Sequence, residues 1–217
     1  MIRARAAALI LLTALATSGL TGCTGGAAPA PSDSREVSPS QTPSDSPSPT
    51  TEARVEVASD PSTWVIDDAG VGPIEIGGDF ASTLEGLAPG WTNDAVDCSW
   101  SAWWTASDSA YGMSFVRGTE SPNAPIREIS VSSTSESLEG VPGPQTMTGL
   151  GVGATRDDLL AAYPAAQQGT STIGSDSWIM LPSETDAHVF FAFREGADTA
   201  WDVTVTTGAE PSYEVCG

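Results

Sequence analysis

One histidine, three cysteines and a few adjacent carboxylates are what this chain offers to catalysis. A hydrolytic triad would have to use His188, which lies in Ala187-His-Val-Phe-Phe-Ala-Phe193 on the side of a strand opposite Val189, Phe191 and Phe193. No Gly-x-Ser-x-Gly elbow supplies a nucleophile for it, so a solvent-facing strand residue is the expected role. Asp67-Asp68 and Asp157-Asp158 are carboxylate pairs of a kind that hydrolyse glycosides when held at a suitable separation. Asp157 and Asp158 already have a simpler role as acids in the first turn of a helix, where the macrodipole favours them. Zinc needs more His and free Cys than the chain holds, and no Asp-rich loop has calcium-ligand spacing. Neither a metal, a cofactor nor catalysis is expected.

The aromatic residues point to recognition instead. In Cys98-Ser-Trp100-Ser-Ala-Trp103-Trp104, strand alternation puts Cys98, Trp100 and Trp104 on one face and Trp103 on the other with Ser99 and Ser101. If the first face is core, Trp103 stands on the polar one. There it either anchors a protein or glycan partner, as interface hot spots do, or packs beneath a loop, a tether or another part of the fold.

The elements that must carry these residues follow from the amino end. Arg3 and Arg5 precede an apolar run from Ala6 to Ala16, and the segment closes on Leu20-Thr21-Gly22-Cys23, the order of an export signal. The run is shorter than the ~20 apolar residues a membrane span needs. Leu-Thr-Gly-Cys resembles the lipobox of bacterial lipoproteins. The resemblance implies a signal peptide over 1–22, lipidation of Cys23 by a diacylglyceryl group, and an anchor on the extracytoplasmic face of the cell membrane. Two acyl chains suffice for stable anchoring where one does not. An ordinary secretory signal cut after the small-residue pair Ala14 and Ala16 is the competing reading. Export also favours pairing Cys98 with Cys216, which leaves Cys23 for the lipid.

Losing Arg3 and Arg5 with the signal moves the formal charge from −20 to −22. With no Lys at all and few Arg, the chain is not a nucleic-acid binder. Residues 23–60 are rich in Pro, Ser and Thr and cannot bury enough apolar area to offset their conformational entropy, so they read as a disordered tether. Fully extended, it reaches on the order of 115 Å at about 3.1 Å per residue.

The folded part divides at an internal similarity. Gly72-Pro-Ile-Glu-Ile-Gly77-Gly-Asp-Phe-Ala-Ser-Thr-Leu84 aligns with Thr148-Gly-Leu-Gly-Val-Gly153-Ala-Thr-Arg-Asp-Asp-Leu-Leu160 at an offset of 76, and Arg127-Glu-Ile129-Ser-Val131 with Trp201-Asp-Val203-Thr-Val205 at 74. Asp79 and Thr155 each precede a helical pattern as capping residues, Pro164 ends the second helix, and alternating apolar residues such as Met113 and Phe115 mark antiparallel strands. The expected fold class is α+β, with two tandem repeats over 61–143 and 144–217, each a short helix or two followed by a three- to four-stranded antiparallel sheet.

This pattern resembles the tandem repeat of the β-lactamase inhibitor proteins and, in a single copy, the small outer-membrane assembly lipoproteins. Gly77-Gly-Asp and Gly153-Ala-Thr stand where those families usually carry Gly-Met-Thr. The resemblance implies a non-catalytic protein presenting a sheet surface to a macromolecule. The expectation is a lipid-anchored extracellular binding protein. The alternatives are an inhibitor of a secreted enzyme such as a β-lactamase, and an envelope-assembly or structural lipoprotein.

Overall fold

The computed structural model of the chain describes residues 60–216, apart from 88, 109, 136, 137 and 139. The expected signal segment, Cys23 and the tether as far as residue 59 lie outside them. The first described residue, Asp60, caps a 3-10 turn over Pro61–Thr63 by accepting a hydrogen bond from the Ser62 amide. Three two-residue strands follow, β1 (Ile66–Asp67), β2 (Gly70–Val71) and β3 (Ile74–Glu75), and pair antiparallel in that order. The turn between β2 and β3 needs Gly72: its φ is +57°, and a Cβ there would sit 2.5 Å from the Trp64 ring. Trp64, Ile66, Val71 and Ile74 are consequently buried together.

Both helices begin where their caps dictate. Asp79 accepts from the Ser82 amide at the start of α1 (Phe80–Gly86), and Thr155 from the Asp158 amide at the start of α2 (Arg156–Ala162). Each is seven residues long and buries one side chain, Phe80 or Leu159.

The other strands are β4 (Thr92–Asp94), β5 (Cys98–Thr105), β6 (Tyr111–Arg117), β7 (Ile126–Ser133), β8 (Gln167–Thr170), β9 (Ser177–Met180), β10 (His188–Phe193) and β11 (Asp202–Thr206). They make one eight-stranded sheet in the order β4-β5-β6-β7-β11-β10-β9-β8, with every neighbouring pair antiparallel. Met113, Phe115, Ile129, Val131, Val203, Val205, Phe191, Phe193 and Ile179 line its first face and form the core with the small sheet and the helices. Burying each of these is worth about 1.5–3 kcal/mol, so this face holds most of the stability.

The expected α+β architecture of two repeats, each a helix with its own sheet, is therefore wrong. The protein is mostly β, with eleven strands in two antiparallel sheets and two short α-helices among the described residues. The reason lies in strand edges. A sheet ending at β7 would expose a row of unpaired amides and carbonyls. Instead β7 pairs with β11 over five residue positions, Val203 opposite Val131 and Val205 opposite Ile129. The two similar segments around residues 127–131 and 201–205 thus meet as hydrogen-bonded neighbours inside one sheet.

Candidate functional site

The second face of the large sheet is built by strand register. One row of residues crosses all eight strands: Thr92, Trp103, Ser114, Ser130, Thr204, Phe190, Met180 and Gln167. A flanking row holds Ser132, Asp202, Ala192, Trp178 and Gly169, and another Glu128, Thr206 and His188. Alternation with Val203 and Val205 obliges Asp202, Thr204 and Thr206 to face this way.

Yet the face is not simply wet. Asp202 is 7% exposed, Glu128 3% and Thr204 1%. What covers them is the segment after β11, which turns back at Gly208 and runs across the face as a strap. Glu210 accepts from the Thr172 amide, Glu128 accepts from both the amide and hydroxyl of Ser212 at 3.1 Å, and the Trp100 indole donates to the Val215 carbonyl at 2.6 Å. The strap is then tied covalently to β5 by the Cys98–Cys216 disulfide, with Cα atoms 5.5 Å apart. The expected pairing of these cysteines is what the structure contains.

Between the strap, the β8–β9 turn and the sheet lies a cleft of about 360 Å³, within the size range of small-ligand sites. Its floor includes Ser130, Thr204 and Asp202, and its walls include Trp178, Trp201 and Tyr213. Trp178 lies flat against β8 because position 169 is glycine: a Cβ there would come within 2.2 Å of the indole. Phe190 meets the same indole edge-on, with centroids 5.4 Å apart. Trp201 also borders a neighbouring cleft, where the Arg194 guanidinium sits 5.1 Å from its ring centroid.

The electrostatics of the cleft centre on Asp202. Its Oδ1 accepts from Thr204 at 2.6 Å, and the Thr204 hydroxyl in turn meets that of Ser130 at 2.8 Å. Burial raises its pKa to about 7, the Thr204 hydrogen bond opposes the rise, and the nearby Glu128 adds to it. Among the described residues no Lys or Arg lines this cleft. The carboxyl therefore changes charge near neutral pH.

The residues singled out from the sequence scatter. Trp103 is 39% exposed and stands on the second face, in the row of Ser114 and Ser130. Trp104 packs into the core against Trp91 and Tyr111, whereas Trp100 and Cys98 hold the strap. The expected alternation along β5 is interrupted by a register shift, Asn93 pairing with Ala102 and Asp94 with Cys98. His188 is half-buried on the second face, and its Nδ1 atom is inaccessible and has no partner among the described residues. Asp67 holds the β1–β2 turn through the Ala69 and Gly70 amides, and Asp68 accepts from Ser183, which holds its carboxyl below the usual range. Asp158 belongs to the cap of α2. No two of these candidates converge on a reacting position. Among the described residues there is no group of three His, Cys, Asp or Glu able to hold a metal, and no helix long and apolar enough to cross a membrane.

Sequence reasoning passed over Trp178, Trp201 and Asp202. The alternation of Asp202, Thr204 and Thr206 with valines signals a second face, but nothing local signals that a strap encloses it.

No protein-family model matches the chain, and no curated protein matches it. An extracellular protein containing an SCP domain from Bacillus anthracis str. Ames aligns structurally at a TM-score of 0.34 and 15% identity, over 60% of this chain and 43% of that one. The chain thus spans less than half of that protein, and a likeness of this degree decides neither fold nor function.

Proposed function

We propose that the protein is a lipid-anchored, extracytoplasmic binding protein that holds a small ligand in the cleft on the second sheet face and catalyses no reaction. One observation carries the binding part: an aromatic-walled cleft with a buried carboxyl at its floor, enclosed by a strap that a disulfide ties down. The hydroxyl that meets the buried carboxyl, Thr204, is 1% exposed and donates to Asp202, so it offers a substrate no accessible nucleophile. Anchoring and export rest on Leu20-Thr21-Gly22-Cys23 and on the disulfide, which suits an oxidising compartment. A second reading, recognition of an extracellular protein or glycan, draws on Trp103, whose indole stands exposed on the same face.

A thermal-shift screen of the exported protein against amines, sugars, amino acids and short peptides tests the first reading. Ligands should shift the midpoint, lose that shift in Trp201→Ala, and remain chemically unchanged. A compound turned over in excess of the protein would replace the binding reading with an enzymatic one.

A further inference from the structure

Among the described residues Asp202 is the buried carboxyl that lines the cleft. It is more than nine-tenths buried, lines the cleft, and is given one protein hydrogen bond among the described residues, from Thr204 to Oδ1. A buried carboxylate is normally paired with a cation, because leaving water uncompensated is costly. Among the described residues no Lys or Arg lines the cleft beside it. The charged groups around Asp202 are Glu128 on β7, Asp176 in the β8–β9 turn and Glu210 on the strap, with His188 further along β10. The guanidinium of Arg194 lies in the neighbouring cleft and not in this one. The lining around Asp202 mixes the apolar surfaces of Trp178, Trp201, Ile173 and Pro211 with hydroxyl side chains such as Ser130 and Ser171. Rings of this kind favour a cation over their faces, and Trp201 already has one near it in Arg194.

Resting on the reading of this cleft as a binding site, we propose that its ligand is a small primary alkylammonium, its charged head on the free oxygen of Asp202 and its apolar body against Trp178 and Trp201. An anion would meet three carboxyl groups and, among the described residues, no positive charge. A neutral polyol donates hydrogen bonds to Asp202 but brings no charge to balance its carboxylate. The ammonium supplies both the charge and N–H donors, and Thr204 keeps its hydrogen bond to Oδ1.

Binding then carries a proton balance. When an ammonium binds to protonated Asp202, the carboxyl proton passes to solvent and the ion pair replaces it. Because Asp202 titrates near 7, an ammonium that requires the carboxylate should bind about tenfold more tightly at pH 8 than at pH 6. Up to one proton should be released per ligand at the acid end. Glu128, Asp176, Glu210, His188 and Arg194 are the other groups able to modulate this profile.

Isothermal titration of the full exported chain with butylammonium and 2-phenylethylammonium chloride tests the proposal, at pH 6 and pH 8 in buffers of different ionisation enthalpy. Butanol, butyrate, glucose and tetramethylammonium serve as comparison probes. The expected result is saturable binding of the two primary ammonium probes, proton release at pH 6, weaker binding of tetramethylammonium, and none of butanol, butyrate or glucose. Asp202→Asn should weaken binding at least tenfold and abolish proton release, with its fold confirmed by an unchanged circular dichroism spectrum. Trp201→Phe should keep the pH dependence, since the carboxyl is intact. Ammonium binding that Asp202→Asn leaves unchanged overturns the proposal. So does glucose or butyrate binding that Trp201→Ala removes, although the cleft would then still be a binding site. If none of the probes binds, both the ammonium proposal and the small-ligand reading of the cleft fall.

Discussion

Replacing Asp202 by Asn should stabilise the unliganded protein at neutral and alkaline pH and leave it unchanged in acid. The native carboxyl titrates near 7 against an ordinary value of 3.8. Below pH 3.8 it is protonated in both folded and unfolded chains and contributes no difference. Between 3.8 and 7 the unfolded chain ionises while the native one stays protonated, so stability falls as pH rises. Above 7 both are ionised and the deficit is constant. About three pKa units at 1.36 kcal/mol each set a ceiling of about 4 kcal/mol. Asn keeps an oxygen for the Thr204 hydroxyl and removes the charge, while its amide must be accommodated at the cleft, so about 2–4 kcal/mol is expected at pH 8. For a domain of this size, 1 kcal/mol moves the midpoint by about 2–4 °C. Urea unfolding followed by tryptophan fluorescence at pH 3, 5.5 and 8 measures the difference directly, since the other titrating groups largely cancel between variant and parent. A variant no more stable than the parent at pH 8, or more stable by the same amount at pH 3, would refute an unpaired buried carboxylate.

Three further outcomes follow from other parts of the chain. Cys23→Ala should abolish acyl labelling and move the protein out of the membrane fraction, whereas label retained in that variant rejects the lipoprotein reading. Opening the bridge with Cys98→Ala and Cys216→Ala removes a cross-link between residues 118 apart and should cost up to ~4 kcal/mol, read by urea unfolding; unreduced peptide maps of the parent should show the linked pair. Trp103→Ala should lower the thermal midpoint by only a few degrees, since its side chain is 39% exposed and the rest is covered, and should weaken a partner that docks on it at least ~30-fold. A large fall in the midpoint would place Trp103 in a structural role.

Local chemistry was legible in the sequence where it acts through neighbouring residues. Asp79 and Thr155 cap helices because a side-chain oxygen three residues from an unpaired amide suffices, and the alternation through Phe191 and Phe193 assigns the core face without knowledge of the partner strand. The likeness between the segments at 127–131 and 201–205 was equally visible, but likeness does not say that two segments pair. Backbone edges attract each other whatever their side chains, so the fusion of β7 to β11 left no trace in residue type. The strap is harder still. Between Gly208 and Cys216 there is no periodicity, and its course is set by isolated contacts, Ser212 to Glu128 and Val215 to Trp100, each between residues more than eighty positions apart. Without it, Asp202, Thr204 and Thr206 read as an ordinary solvated face. With it they floor a cleft, and that is why the site escaped a reading based on exposed aromatics.

The position of β11 bears on how the molecule comes together. It is the last of the described strands along the chain, yet it lies inside the sheet, hydrogen-bonded to β7 on one side and β10 on the other. Every element between Ile126 and Thr206 must be threaded before the middle of the sheet closes, a high contact order that slows folding. Until then the newly made β7 carries Ile129 and Val131 along an unprotected border, open to the same border of another unfinished copy. Cutting the chain near residue 144, between β7 and α2, would make that transient hazard permanent, so neither piece is expected to stay monomeric by itself.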